Sequence, residues 1–333
     1  MYSREVLGLP NPLTTPVLFI VFNRPDTTQE VFEAIRKAKP TKLFIAADGP
    51  RENRPGEDEK CALVRRIIDE GIDWPCEVYR LNRDKNLGCK LAPSSAISWF
   101  FKNVEEGIVL EDDCLPQATF FRFCAELLEK YRDDERVMNI GGFNPLGEWK
   151  SDIQSYHFCY HGATWGWASW RRAWRYFDIE MKLWAEPEVK DRIKDVLCNP
   201  GMYKWLRQSF NDVYQRKLDT AWDYQWLFAR LLHSGLSVVP CVNLVSNIGF
   251  HDEATHTFNA AASIANSALY PISFPLKEPH GLANDREYDH RCYLKSARNQ
   301  ETMGLKEKAL CRLSLYMPAY IRGFIKSRIL RKS

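Results

Sequence analysis

Apolar residues along this chain fall into short unbroken runs separated by amphipathic stretches. Residues 16–22 are continuously apolar between Thr15 and Asn23-Arg24-Pro25, which predicts a central strand buried on both faces. Thr27-Thr28-Gln29-Glu30 then offers a capping box. Val31, Ala34, Ile35 and Ala38 follow at helical spacing until Pro40 ends the pattern. A second strand, 42–47, closes on Asp48-Gly49-Pro50. Strand, helix and strand joined by short links predict a right-handed βαβ unit and a parallel sheet. The pattern continues with a helix over 61–70, a weaker strand over 76–81, a polar loop containing Arg83, Gly88 and Lys90, and a helix over 94–103. It ends in Gly107-Ile108-Val109-Leu110, which runs directly into Glu111-Asp112-Asp113 before Pro116 stops it. The expected fold is α/β, a Rossmann-like and mostly parallel sheet flanked by helices. Three strand ends deliver Asn23-Arg24, Asp48-Gly49 and Glu111-Asp112-Asp113 to one edge, the place where open α/β sheets bind ligands.

Beyond Pro116 the pattern predicts a helix over 118–131, a strand over 137–142 and late strands over 236–240 and 242–245, while the stretch from 259 to 299 shows no clear element. The character of the chain changes between Trp149 and Trp226, which bracket nine of the eleven tryptophans. Such clustering reads as core packing or as a sugar-binding surface, since indoles take up the apolar faces of sugar rings. On the second reading this is an acceptor lobe, with Trp165, Trp167 and Trp222 as its contacts. The expected organisation is therefore a nucleotide-sugar-binding half over 1–145, an acceptor-binding and catalytic half over 146–260, and an extension over 261–333.

Charge adds one feature. The formal net charge is +3, yet residues 305–333 carry eight Lys/Arg against one Glu, leaving 38 basic and 42 acidic residues in the body. A mildly acidic body points away from nucleic acid. The tail interleaves Tyr320, Ile321, Phe324, Ile325 and Leu330 with basic residues. That pattern predicts either a helix lying on an anionic membrane surface or one packed on the body. The ten cysteines lack CxxC pairs or a zinc-ligand rhythm, no apolar run approaches a membrane span, and Met1 to Glu5 lacks the apolar core of a signal peptide. The expectation is a cytoplasmic chain, peripheral on the inner membrane face if the tail binds lipid.

Three adjacent carboxylates at a sheet edge repel one another unless something positive sits among them. The economical candidate is a divalent cation that favours oxygen ligands, Mn²⁺ or Mg²⁺, with Asp113 its first ligand. A cation there suits the diphosphate of a nucleotide-sugar, whose departure a Lewis acid assists. Glu111 and Asp112 could hydrogen-bond the donor's sugar and ribose hydroxyls or support Asp113 from behind. Lys90 could contact phosphate or be a solvated charge. Asp223, between Trp222 and Trp226, could be the base that takes the acceptor proton, or a helix N-cap.

Taken together, Phe22-Asn23-Arg24-Pro25, Ala47-Asp48-Gly49, Val109-Leu110-Glu111-Asp112-Asp113, the stretch 162–167 and Trp222-Asp223-Tyr224-Gln225-Trp226 resemble the nucleotide-diphospho-sugar transferases of the GT-A fold. The resemblance covers roughly 15–260 and is nearest the Golgi transferases that add the first branching N-acetylglucosamine, in β-1,2 linkage to mannose, to N-glycans. It implies an inverting, metal-dependent transfer from a donor such as a UDP-sugar to a glycan or lipid-linked glycan acceptor. It also implies a metal at Asp113, uracil recognition by Asp48, the diphosphate near Arg24, the base at Asp223, and a late histidine, His256 rather than His251, closing the site. Unlike those transferases the chain shows no anchor, which points to surface-polysaccharide synthesis instead. Two other classes fit the same residues. A metal-dependent phosphoryl hydrolase would need the acids but no acceptor, and a non-catalytic glycan-binding protein would need the tryptophans but neither metal nor nucleotide.

Overall fold

All five residues of β1 (Val17–Val21) are buried, and the strand pairs in parallel with β2 (Lys42–Ala47) on one side. The computed structural model describes residues 12–218, 220–249 and 266–302, with side chains as far as 296. Helices α1 (Pro25–Ala38), α2 (Glu57–Gly71) and α3 (Gly88–Asn103) connect β1, β2, β3 (Glu77–Asn82) and β4 (Glu106–Glu111) as successive βα units. β4 returns to pair in parallel with the free side of β1. A strand with neighbours on both edges and packing on both faces meets little water, so its sequence is an unbroken apolar run. The period of two sorts it: Val17, Phe19 and Val21 join one core, and Leu18 and Ile20 join the other.

After β4 the chain turns at Asp112-Asp113 and enters β5 (Cys114–Pro116), then α4 (Thr119–Lys130). β6 (Val137–Gly141), β7 (Tyr156–Cys159), β8 (Trp167–Trp170) and β9 (Leu236–Pro240) complete an eight-stranded sheet among the described residues, in the order β3-β2-β1-β4-β8-β6-β9-β7. β8 runs antiparallel to β4 and β6, and β7 antiparallel to β9. The remaining pairs are parallel, so the sheet is mostly parallel, as expected. Because the chain leaves β1 toward β2 and β3 and comes back on the other side at β4, the topological switch lies between β1 and β4. β10 (Val245–Asn247) pairs antiparallel with β5 just beyond this point.

Several expectations change. The first helix begins at Pro25, whose missing N–H and fixed φ suit a first helical turn. The expected capping box does not form, and the Thr27 and Thr28 hydroxyls are buried without a partner. Pro116 does not simply stop a strand but closes β5. The short α5 (Arg171–Trp174) follows β8, and α6 (Pro187–Leu197), α7 (Pro200–Tyr214) and α8 (Asp223–Leu232) build a satellite core around Trp184 and Phe210. A helix missed in the sequence, α9 (Arg286–Thr302), buries Tyr288 and Cys292 out of a mostly polar stretch. β6 lies between β8 and β9 in the one sheet, and Ile272 and Tyr288 are buried in the body. Among the described residues no helix is long and apolar enough to cross a membrane. The basic tail, His251 and His256 lie outside the described residues.

Candidate functional site

The switch between β1 and β4 brings Arg24 against the carboxylates. Arg24 is the residue before α1, and its Nη1 lies 2.6 Å from Asp113 Oδ2 and 3.6 Å from Asp112 Oδ1. The Phe22 N–H donates to Asp112 Oδ2 at 3.0 Å, tying the two strand ends together. Asp112 is 7% exposed, so this is no solvated acidic turn. The positive charge that three adjacent acids require is thus present within the chain. Burial alone would lower the Arg24 pKa, but the charges of Asp112 and Asp113 raise it. Burial raises the pKa of Asp112 and of Glu111, and repulsion from Asp113 adds to both.

Asp223 bears on Glu111 from 112 residues away. It opens α8, and its charge is among those that raise the Glu111 pKa. Its side chain is exposed, yet surrounding protein raises its own pKa by desolvation, which the backbone N–H of Tyr224 partly offsets. A raised pKa brings a carboxylate nearer the range of a working base. The N-terminal end of a helix stabilises its charged form. The N-cap reading of Asp223 is corrected: Asp223 is the first residue of α8, and the N-cap position is Trp222, with no side-chain capping bond.

The other predicted donor contacts have structural employment. Asp48 is 6% exposed, and its carboxylate accepts the N–H groups of Leu87 at 3.1 Å and Gly88 at 3.2 Å and the Asn86 amide at 2.9 Å. It caps the start of α3 from the end of another strand, a structural role beside the base-reading one expected of it. Burial raises its pKa despite these bonds. Asn23 donates to Glu57 Oε1 at 2.9 Å, and Arg51 chelates the same carboxylate. Burial would raise the Glu57 pKa, but the Arg51 and Asn23 bonds outweigh it and hold it low. Arg51 also lies over the Phe22 ring, 5.5 Å from its centroid. Lys90 stands half-buried in the first turn of α3. Beyond Arg51 a groove of about 720 Å³ opens between the loops after β2 and β3, lined by Arg51, Arg54, Asp58, Asp84 and Lys85 among others. It contains none of the switch-point acids.

The tryptophans divide. Trp167 has no exposed surface and Trp222 6%; they pack with Trp174 and Trp226, with Trp167 ring centroids 5.9 to 6.0 Å from the other three. Their expected acceptor role is corrected to core packing beneath the sheet, because a buried indole has no face to present. Trp165 keeps partial exposure and packs on Phe143 at 4.6 Å, so it alone of the three has surface for a ligand.

Sequence reasoning missed Glu57, Arg51 and Gly249. Gly249 follows β10, and a Cβ there would collide with Asp113 and come within 3.0 Å of Arg24 Nη1. Only the pairing of β10 with β5 brings it there, and Ile248 N–H donates to the Asp113 carbonyl at 2.8 Å. Among the described residues no group of three His, Cys, Asp or Glu side chains forms a ready metal cage. The donor set still fits a hard cation. Two carboxylates converge on one position, which a guanidinium nitrogen fills, and Mg²⁺-type sites commonly use one or two carboxylates plus substrate phosphates.

No family model matches the chain, and no curated protein matches it. Among solved structures, HddC from Yersinia pseudotuberculosis aligns with 48% of this chain and 78% of its own, at 10% identity and a TM-score of 0.30. UDP-glucose pyrophosphorylase complexed with UDP-glucose aligns with 44% of this chain and 62% of its own, at 14% identity and a TM-score of 0.26.

Proposed function

We propose that the chain is an inverting glycosyltransferase that moves a sugar from a nucleotide-diphosphate donor, a UDP-sugar, to a glycan or lipid-linked glycan acceptor in surface-polysaccharide synthesis. The observation that carries this reading is the convergence of Arg24 with Asp112 and Asp113 beside Glu111 at the topological switch point, with Asp223, at the start of a helix, near enough for its charge to raise the Glu111 pKa. Transfer needs a cation-rich place for a diphosphate, an acid to hold sugar hydroxyls and a separate base for the acceptor, and these residue types supply all three. Asp223 takes the proton of the acceptor hydroxyl as its oxygen bonds to the anomeric carbon. The bond from that carbon to the diphosphate oxygen breaks, and the electron pair leaves with the nucleoside diphosphate. Arg24 faces the charge that develops there. Asp113 and Asp112 are the residues that would hold a Mn²⁺ or Mg²⁺ ion, which would supply Lewis-acid stabilisation of the same charge. Trp165 is the indole with surface for the acceptor.

Calorimetry against a panel of nucleotide-sugars with Mn²⁺ tests the reading, followed by product analysis. Binding of one nucleotide-sugar, and a product made only when an acceptor is present, are expected. Release of phosphate or nucleotide at the same rate without any acceptor would make the chain a hydrolase instead, and glycan binding indifferent to nucleotide and metal would make it a lectin-like protein.

A further inference from the structure

Resting on that reading, we propose that Arg24 is an exchangeable counter-ion: it holds Asp113 and Asp112 in the empty enzyme and gives them up to a divalent cation, moving to the diphosphate that arrives with it. The geometry is that of a shared position. One guanidinium nitrogen contacts both carboxylates, at 2.6 and 3.6 Å, and the side chains are only 18% exposed for Arg24, 10% for Asp112 and 17% for Asp113. A second cation cannot join them without strong repulsion at such low exposure, so guanidinium and metal compete. Gly249 sets the space. Its backbone lies against both members of the pair, and any side chain there would disturb their contact. The pair therefore prevents a buried array of like charges before donor binds, and its exchange couples metal and donor arrival.

The full chain and Mn²⁺ alone, followed by calorimetry and electron paramagnetic resonance, test this. With no nucleotide present, Arg24→Gln is expected to bind Mn²⁺ tighter than wild type by about 5- to 150-fold, the usual range for coupled sites. With Mn²⁺ saturating, the same variant is expected to bind UDP more weakly, because the released guanidinium is no longer there to meet the diphosphate. Arg24→Lys keeps a positive charge and is expected to bind Mn²⁺ alone more weakly than Arg24→Gln. A merely structural Arg24 would lose affinity for both ligands on substitution. Should Arg24→Gln misfold, the unmutated chain still decides: the guanidinium ¹⁵N resonance missing from Arg24→Lys should move as Mg²⁺ is added, and a resonance that stays fixed through saturation overturns the exchange. Unchanged or weaker Mn²⁺ binding by folded Arg24→Gln overturns it too, and leaves the transferase reading standing if wild type binds UDP. Wild type binding neither Mn²⁺ nor UDP would remove both.

Discussion

Replacing Asp48 by Ala separates two accounts of a residue that the sequence places among the donor contacts. In the structure its carboxylate accepts two backbone N–H groups at the start of α3 and the Asn86 amide. Removing a helix cap costs about 0.5–2 kcal/mol. The lost Asn86 bond adds about 1 kcal/mol. The carboxylate is itself desolvated, as its raised pKa shows, so its own burial cost is recovered on deletion and the sum belongs near the middle of the range. We expect Asp48→Ala to lower stability by about 2 kcal/mol. Asp48→Asn, which keeps one carbonyl acceptor, should cost about half of that. Urea unfolding followed by tryptophan fluorescence measures it, with the m-value unchanged if only stability moves. A change in the urea midpoint equivalent to less than about 0.5 kcal/mol, together with selective loss of nucleotide binding, would refute the capping account and restore base recognition.

Asp223→Asn should leave donor binding nearly unchanged while turnover falls by about 10²–10⁴, the usual worth of a general base, as single-turnover kinetics would register. Stability should fall as pH rises from the ordinary carboxylate range. Glu111, Asp112 and Asp223 all have folded pKa values above their unfolded ones, so across that window the native state holds protons the unfolded chain has released. Urea midpoints from pH 4 upward check the sign, and a rise in stability with pH attributable to these acids would contradict it. Trp167→Ala should destabilise by about 3–5 kcal/mol, as for other buried aromatics, whereas an acceptor-contact role would change KM at constant stability.

The sequence by itself determined the parallel half of the fold. Strands buried on both faces must be continuous apolar runs, so 16–22, 42–47 and the run into Glu111 were legible, and with them the edge to which Arg24 and the three acids are delivered. Local periodicity could not say what each polar residue at that edge would do. Asp48 and Arg24 stand in similar positions after neighbouring strands, yet one is consumed in capping α3 and the other is aimed at Asp113, because β4 returns beside β1 and not beside β2. The tryptophans show the same limit. An indole signals burial or a sugar platform equally well in sequence, and only the packing of α8 and β8 decides that Trp167 has no face left. α9 was hidden because a helix whose buried side chains, among those described, are Tyr288, Asp289 and Cys292 carries too faint an apolar period. Tertiary structure alone brought Asp223 within electrostatic reach of Glu111 and Gly249 against Asp113 and Arg24: nothing local to 223 or 249 encodes a partner more than a hundred residues away, and charge interaction in the one case and close approach in the other depend on distances and burial that only the folded chain sets.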